Sequence, residues 1–347
     1  MSVERILIVG LGSIGKRHLR LARELLPNVD IRVLRHQAAN LPSDLNSNYF
    51  FNTEEALLFK PQVVVISNPA SFHIPTAQAF AEIGAHLLIE KPLSVSKKGI
   101  SELLKTCRQH KSILLVGYNL RFLKSLQQYR NLLLNEKIIG KVLSVRCEIG
   151  QYLPSWRPDS DYRQSVSAQQ KLGGGALLEL SHELDYLRWI FGEVDWVKAV
   201  LSKQSNLDID VEDSAHIILG FTTTNDNDQQ LIGTVNLDFI RHDTVRLCTA
   251  IGEKSSLRWD GLTGKVTLYD LNKHEWFEVF GYSHQRDDSY IAEWLHFIEC
   301  INFSKIPLIT GEDGLSVLEI IEAARLSSTS GSKVNLSKTT TNSKVVQ

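Results

Sequence analysis

The chain has 347 residues, of which 43% are apolar, and its 38 Lys and Arg nearly balance its 39 Asp and Glu. This length exceeds what one ordinary hydrophobic core accommodates and indicates two domains. The apolar fraction excludes a disordered chain. The near-zero net charge does not provide the general positive potential that nucleic-acid binding requires, so no nucleic-acid partner is expected.

Cysteine usage and the N-terminus indicate the compartment. The four cysteines lie far apart and form no Cys-x-x-Cys pair, which argues against a zinc site or a disulfide framework and for free thiols in a reducing cytoplasm. The first residues lack signal-peptide features and resemble a strand. No run of about 18 apolar residues occurs, so no membrane span is expected. We therefore expect a cytoplasmic protein.

Short, β-branched runs alternate with amphipathic segments through the first third of the chain. The predicted strands are 5–9, 31–34, 49–51, 62–67, 86–89 and 112–116. The predicted helices are 13–26, a segment from residue 53, 72–83 and 96–110. This alternation is typical of a doubly wound parallel sheet, in which ligands bind at the carboxyl ends of the strands. The sequence thus predicts an α/β Rossmann domain over residues 1–122 that binds a dinucleotide.

The pattern changes after residue 123. Helices are predicted at 125–135, 176–191, 290–302 and 314–327, with a half-exposed strand at 141–149 and several alternating runs between 194 and 280. These elements predict an α+β domain, residues 123–330, with a large, mostly antiparallel sheet of about six strands and helices on one face. The Ser-, Thr- and Lys-rich end predicts a flexible polar tail, residues 331–347.

The segment GLGSIG, residues 10–15, follows a clean strand and opens a helix, as the dinucleotide fingerprint requires. Gly10 would allow the tight turn, Gly12 the approach of the pyrophosphate, and Gly15 the packing of helix on strand. Ser13 and Ile14 would present the helix N-terminus to the phosphates.

The end of the second strand distinguishes NAD from NADP. An acidic residue there binds the ribose 2′-hydroxyl of NAD, but this chain has Arg35. A guanidinium suits a 2′-phosphate, which favours NADP(H) as the cofactor, although an Arg stacked on the adenine is compatible with NAD(H) as well.

Six segments, in this order, resemble the glucose–fructose oxidoreductase / inositol dehydrogenase (Gfo/Idh/MocA) family. They are GLGSIGKRH at 10–18, SNPASFH at 67–73, EKPLS at 90–94, GYNLRF at 117–122, GGGALLELSHELDYLRW at 173–189 and TGEDGLSVLEIIEAARLSS at 310–328. The resemblance spans nearly the whole chain. It implies an NAD(P)-dependent oxidoreductase that transfers a hydride between nicotinamide and a hydroxyl-bearing carbon of a sugar or sugar derivative.

The resemblance also implies the catalytic residues. Lys91 matches the family's lysine and would polarise the reacting hydroxyl or relay its proton, while Glu90 would hold that Lys charged and oriented. A cis peptide bond is expected before Pro92. His182 would exchange the hydroxyl proton; the alternative is a buried helix histidine bonded to Asp185.

Substrate and cofactor contacts are assigned on the same basis. The family commonly has an Asp four residues before its His, but here Leu178 stands there, and Glu179 either replaces that Asp or the contact is lost. Arg121 either contacts substrate or bridges the domains, and Asp185 is assigned to substrate because it shares a helix face with His182. The cofactor cleft is expected to be lined by Asn68, Pro69, His73, Glu90 and Lys91.

The loop 152–163 is rich in aromatic and basic residues. Trp156 would stack on a sugar ring or nucleobase, and three residues would hold a carboxylate or phosphate: Arg157, Tyr162 and Arg163. These residues favour an acidic or nucleotide-linked sugar as substrate. The alternative is a loop used for packing or oligomer contact.

Other functions remain open on the sequence. No second His stands at ligand spacing from His182, so no metal is expected. A non-catalytic NAD(P)-binding sensor or regulatory protein would keep the glycine loop, but the joint presence of Lys91 and His182 favours an enzyme. A third possibility is an enzyme that recycles tightly bound NAD(P) as a hydride shuttle. A homodimer or homotetramer is expected, formed through the sheet of the second domain.

Overall fold

The computed structural model describes residues 3–35, 48–223 and 229–336. Its first sheet is parallel, with six strands in the order β3-β2-β1-β4-β5-β6. The strands are β1 Arg5–Val9, β2 Asp30–Leu34, β3 Tyr49–Phe50, β4 Val63–Ile66, β5 His86–Glu90 and β6 Leu114–Gly117. The helices are α1 Ser13–Leu25, α2 Thr53–Leu58, α3 His73–Ala81 and α4 Ile100–His110. The predicted doubly wound α/β fold is confirmed.

The central strands of this sheet are covered on both faces. Every residue of β4 is fully buried, and so are Ile6, Leu7 and Ile8 of β1. Continuous apolar runs suit strands that helices cover on both sides. The reversal of strand order between β1 and β4 creates the crevice in which such sheets bind ligands.

The second sheet has nine strands in the order β14-β13-β12-β11-β7-β10-β9-β8-β15. They are β7 Val142–Gly150, β8 Val194–Ser202, β9 Ser214–Phe221, β10 Ile232–Asp238, β11 Val245–Gly252, β12 Ser256–Asp260, β13 Lys265–Asp270, β14 Glu275–Gly281 and β15 Val334–Asn335. All pairs are antiparallel except β7 with β10. The predicted antiparallel α+β domain is confirmed, but its sheet is larger than the six strands expected.

The remaining helices lie against one face of this sheet and against the first domain. They are α5 Lys124–Leu134, α6 Ala176–Glu179, α7 His182–Phe191, α8 Asp288–Phe303 and α9 Gly311–Ser330. Helix α9 packs on β8 and also on β6 of the first sheet, while α8 packs on α1. Trp294 of α8 donates its indole N–H to His18 Nδ1 of α1 at 3.0 Å. The C-terminal helices therefore join the two sheets.

The end of the described chain differs from the prediction of a flexible tail beginning at residue 331. Strand β15 pairs with β8, with Val334 opposite Val197, and Leu336 N donates to Asp195 O at 2.7 Å. Residues 331–336 therefore belong to the second domain. Backbone hydrogen bonds hold them there, and their side chains have no apolar pattern from which a strand could be predicted. Residues 337–347 lie outside the described residues.

Candidate active site

The turn between β1 and α1 has the geometry that its three glycines predict. Gly10 has a φ of +89°, which side chains disfavour, and its N–H donates to Leu34 O at 2.9 Å. A Cβ on Gly15 would lie 2.1 Å from the carbonyl oxygen of Gly10, so helix and strand approach more closely than any side chain allows. A Cβ on Gly12 would meet nothing within 4 Å. Gly12 therefore faces open space.

That open space fits a dinucleotide phosphate. Helix α1 has Gly12 at its N-cap, no capping side chain and no acidic residue in its first turn. Its first N–H groups are thus free to donate to an anion, helped by the positive end of the helix dipole. Ser13 is exposed and Ile14 half-buried beside this N-terminus. The residues of the loop fit the pyrophosphate of NAD(P).

Residues after β2 and β4 lie around the same turn. Arg35 directly follows β2, whose Leu34 bonds to Gly10, and its own N–H donates to Phe50 O. The backbone of Asn68, followed by Pro69, lies 2.9 Å from where a Gly10 Cβ would be. These three residues lie where the sequence predicted a cofactor cleft.

His73 does not line that cleft, which corrects the prediction. Its side chain is 1% exposed, and its ring nitrogens lie 3.0 Å from Pro92 O and 2.8 Å from Asn68 O. Burial lowers the pKa of His73. Its role is to hold the loop after β4 against the loop after β5.

Lys91 reaches from the first domain to the second. The Lys91–Pro92 peptide is cis, as expected. Lys91 Nζ donates to the backbone carbonyl of Glu179 at 2.8 Å and lies 3.8 Å from its carboxylate Oε2. Both side chains are 18% exposed. The ammonium is therefore held by Glu179, at the end of α6, and both side chains retain access to the cleft.

Glu90 does not hold the ammonium of Lys91, contrary to the prediction. Its side chain is buried, with Oε1 2.8 Å from His18 Nε2, while Oε2 accepts the backbone N–H of Lys91 at 3.2 Å. Because Trp294 donates to His18 Nδ1, Nε2 is the ring nitrogen that donates a hydrogen bond to Glu90. Glu90 positions Lys91 through the backbone.

His182 begins α7, three residues after Glu179, which accepts the hydrogen bond from Lys91. It is half-buried, its Nδ1 is enclosed with no hydrogen-bond partner among the described residues, and its ring meets Tyr118 edge-on at 5.6 Å. Burial lowers the pKa of His182 well below its usual value, and the positive charges of Lys91 and Arg246 lower it further. His182 is therefore a neutral imidazole at neutral pH, able to accept a proton.

Arg121 and Asp185 form a buried ion pair, which corrects their assignment to substrate. Arg121 donates to both carboxylate oxygens of Asp185, at 2.8 and 2.6 Å, and the two residues are 2% and 1% exposed. Arg121 also lies 3.5 Å from Asp313 of α9. Of the two roles considered, the structure places Arg121 in the one that bridges the domains. It also excludes the alternative that His182 is bonded to Asp185.

The loop after β7 forms a shallow hollow of its own. It is lined by Leu153, Trp156, Arg157, Ser160, Tyr162, Ser165 and Ser167. Trp156 packs edge-on against Phe239 at 5.2 Å, and Tyr162 accepts the backbone N–H of Asp208. Arg163 is paired with Asp161 at 2.8 Å, whereas Arg157 is exposed. Three of the four residues assigned to substrate line this hollow, whereas Arg163 is not among its lining residues and already has a carboxylate partner.

Sequence reasoning missed Tyr118, Glu183 and Arg246. Tyr118 and Glu183 are fully buried beside His182, and Arg246 Nε lies 2.8 Å from Glu183 Oε1. The sequence feature that could have identified Arg246 is its charge among the otherwise apolar inward-facing positions of β11. Within the described ranges, no group of three or more His, Cys, Asp or Glu residues has the geometry of a metal site, and no helix is long and apolar enough to span a membrane.

Comparisons with known proteins cover both domains. A family model described as "Oxidoreductase family, NAD-binding Rossmann fold" (GFO_IDH_MocA) matches residues 4–118, and one for its C-terminal alpha/beta domain matches residues 132–336. The chain is 28% identical to an uncharacterized oxidoreductase, YrbE, of Bacillus subtilis, over 96% of each chain. It is 24% identical to myo-inositol 2-dehydrogenase of Thermotoga maritima, over 93% of this chain and 96% of that one.

A solved structure shows the same fold. The WlbA dehydrogenase from Bordetella pertussis, in complex with NADH and UDP-GlcNAcA, superposes with a TM-score of 0.80 at 20% identity. The superposition covers 97% of this chain and 99% of that one.

Proposed function

Because the chain belongs to the Gfo/Idh/MocA oxidoreductase family, we propose that it oxidises a CH–OH group of a sugar or sugar derivative, or reduces the corresponding carbonyl. The observation that carries this proposal is the contact of Lys91, from the first domain, with Glu179 of the second, three residues before His182. NAD(P), when bound, supplies the hydride acceptor or donor.

Two side chains would manage the hydroxyl proton. Neutral His182 would accept it during oxidation and return it during reduction. Lys91 would donate a hydrogen bond to the same oxygen and stabilise negative charge that develops there. Glu179, which contacts the ammonium, would orient Lys91 and take over the substrate contact that the family's Asp makes.

We propose NADP(H) as the preferred cofactor, with Arg35 as the ligand of the 2′-phosphate. The support is its place directly after β2, beside the turn at Gly10. In fluorescence titrations the wild-type chain should bind NADPH more tightly than NADH, and Arg35→Asp should reverse this order, because a carboxylate repels the phosphate and accepts from the ribose hydroxyl. An unchanged order in the variant would contradict the role of Arg35.

We propose an acidic or nucleotide-linked sugar as substrate. The relative WlbA, whose complex contains UDP-GlcNAcA, supports this class, as does the exposed Arg157 beside the aromatic hollow. A turnover screen with acidic and nucleotide-linked sugars tests the proposal. Turnover of neutral free sugars alone would overturn it.

We also propose a homodimer or homotetramer formed through the second sheet. Val200 and Ile218, on the sheet face that carries no helices, are 56% and 39% exposed. Apolar residues on such a face are typical of an interface. Light scattering of the purified chain tests this, and a monomer would contradict it.

A further inference from the structure

Arg246 stands on a sheet face that is otherwise apolar. It shares the helix-facing side of β11 with Cys248 and Ala250, both fully buried. Its aliphatic stem passes Gly261, where a Cβ would lie 2.7 Å from Arg246 Cδ. Gly261, which directly follows β12, thus leaves space for the long side chain of Arg246. A guanidinium in such a place is costly unless its charge and donors are used.

The donors of Arg246 are only partly used. Nε lies 2.8 Å from Glu183 Oε1 but is not aligned for a hydrogen bond, and Glu183 Oε2 is buried without a partner among the described residues. Two other arginines near the domain joint each contact two carboxylates: Arg121 contacts Asp185 and Asp313, and Arg188 contacts Glu193 and Asp313. In the described part of the chain, Arg246 contacts one carboxylate, that of Glu183.

Arg246 lies close to the residues that are proposed to carry out the reaction. Glu183 directly follows His182 at the start of α7, and the charge of Arg246 acts on His182 together with that of Lys91. The Arg246 side chain is 19% exposed, as accessible as that of Lys91. Arg246 therefore contacts the residue that directly follows the proposed proton acceptor.

We propose that Arg246, held by Glu183, binds a carboxylate carried by the sugar ring that reacts, so that the substrate is a uronic acid or its glycoside. The planar fork of a guanidinium matches a carboxylate through two parallel hydrogen bonds. A carboxylate on the reacting ring fits this position better than a nucleotide diphosphate, because Arg246 adjoins the residues that manage the proton. This inference rests on the proposed function and names its recognition element.

The test compares the binding of acidic sugars with that of their neutral counterparts. The protein is first saturated with whichever dinucleotide it binds. Calorimetry compares glucuronate with glucose, galacturonate with galactose, and UDP-GlcNAcA with UDP-GlcNAc. At least one acidic sugar should bind about ten- to a hundredfold more tightly than its neutral partner, which is what one or two charge-assisted hydrogen bonds contribute. Arg246→Met should abolish this preference.

Because Arg246→Met leaves Glu183 buried and unpaired, the double variant Arg246→Met/Glu183→Met tests the same point without an isolated charge. Arg108→Met, at an exposed position of α4, is the matched control and should keep the preference. The inference is overturned if no acidic sugar in the set binds, if neutral partners bind as tightly, or if the double variant still prefers acids. Failure of the wild-type chain to bind any dinucleotide would instead contradict the proposed function.

Discussion

At the scale of single residues, the site depends on how a few charges are placed. His182 is enclosed on its Nδ1 side, and the ammonium of Lys91 is anchored on Glu179, three residues earlier in the chain. The sequence predicted Lys91 and His182 because they stand in recognisable motifs, and it offered Glu179 as one of two alternatives for the contact of the family's Asp. It misassigned Glu90 and Asp185 and left the role of Arg121 open, because only tertiary packing shows which partner a buried charge has.

The environment of His182 makes a testable prediction about its titration. Removing the ammonium with Lys91→Met should raise the pKa of His182, because one of the positive charges that oppose its protonation is lost. Titration of the histidine ring signals by NMR measures this, with Arg108→Met as the control. A pKa of His182 that stays unchanged or falls in Lys91→Met would contradict the arrangement.

The same lowered pKa affects stability. The unfolded chain binds a proton at His182 near pH 6.5, whereas the folded chain does so only at lower pH. The free energy of unfolding should therefore be fully developed above about pH 6.5 and decrease as the pH falls from there towards the folded-state pKa. Urea denaturation at pH values between about 7 and about 5 tests whether the free energy of unfolding decreases in this direction.

At the scale of elements, prediction succeeded where one segment carries its own pattern. Strand β1 was predicted as it occurs, and α1 within one residue, because a continuous apolar run and a glycine turn define them locally. Strand β14 has little alternation that could count it among the strands expected, because its side chains are mostly exposed and its pairing to β13 contains a bulge. The two residues of β15 are a strand only because β8 lies beside them.

Two glycines of the β1–α1 turn have different roles: Gly15 is required for packing, and Gly12 for binding. Gly15→Ala should destabilise the fold by about 1–3 kcal/mol, because its Cβ would overlap the carbonyl of Gly10. Gly12→Ala should cost less than about 1 kcal/mol, since its φ is −63° and its Cβ would enter open space. Chemical denaturation of both variants distinguishes them, and equal losses would contradict this division of roles.

At the scale of the whole molecule, buried ion pairs fix the position of the first domain relative to the second. Arg121, which follows the last strand of the first sheet, is bound by Asp185 of α7 and lies near Asp313 of α9. Asp313 also caps α9 through Thr310 and accepts from Arg188 at 2.6 Å. The family pattern drew attention to Arg121, but only the structure shows that its partners lie in the second domain.

This network predicts that Arg121→Met destabilises the protein by about 3–5 kcal/mol, because Asp185 would remain buried without its partner. Arg121→Met/Asp185→Leu, which removes both charges, should recover much of that loss. Urea denaturation measures both variants. A single variant of wild-type stability that weakens only substrate binding would show that Arg121 contacts the substrate after all.

The central claim is that the open space above Gly12 holds the phosphates of NAD(P). Titration of the six-tryptophan chain with NADH and NADPH, followed by fluorescence, tests it most directly in the wild-type protein and in Gly12→Ala. We predict that the wild-type chain binds at least one dinucleotide and that folded Gly12→Ala binds it about tenfold or more weakly, because its Cβ occupies the approach to the helix N–H groups. No binding by the wild-type chain, or equal binding by the variant, would contradict the account.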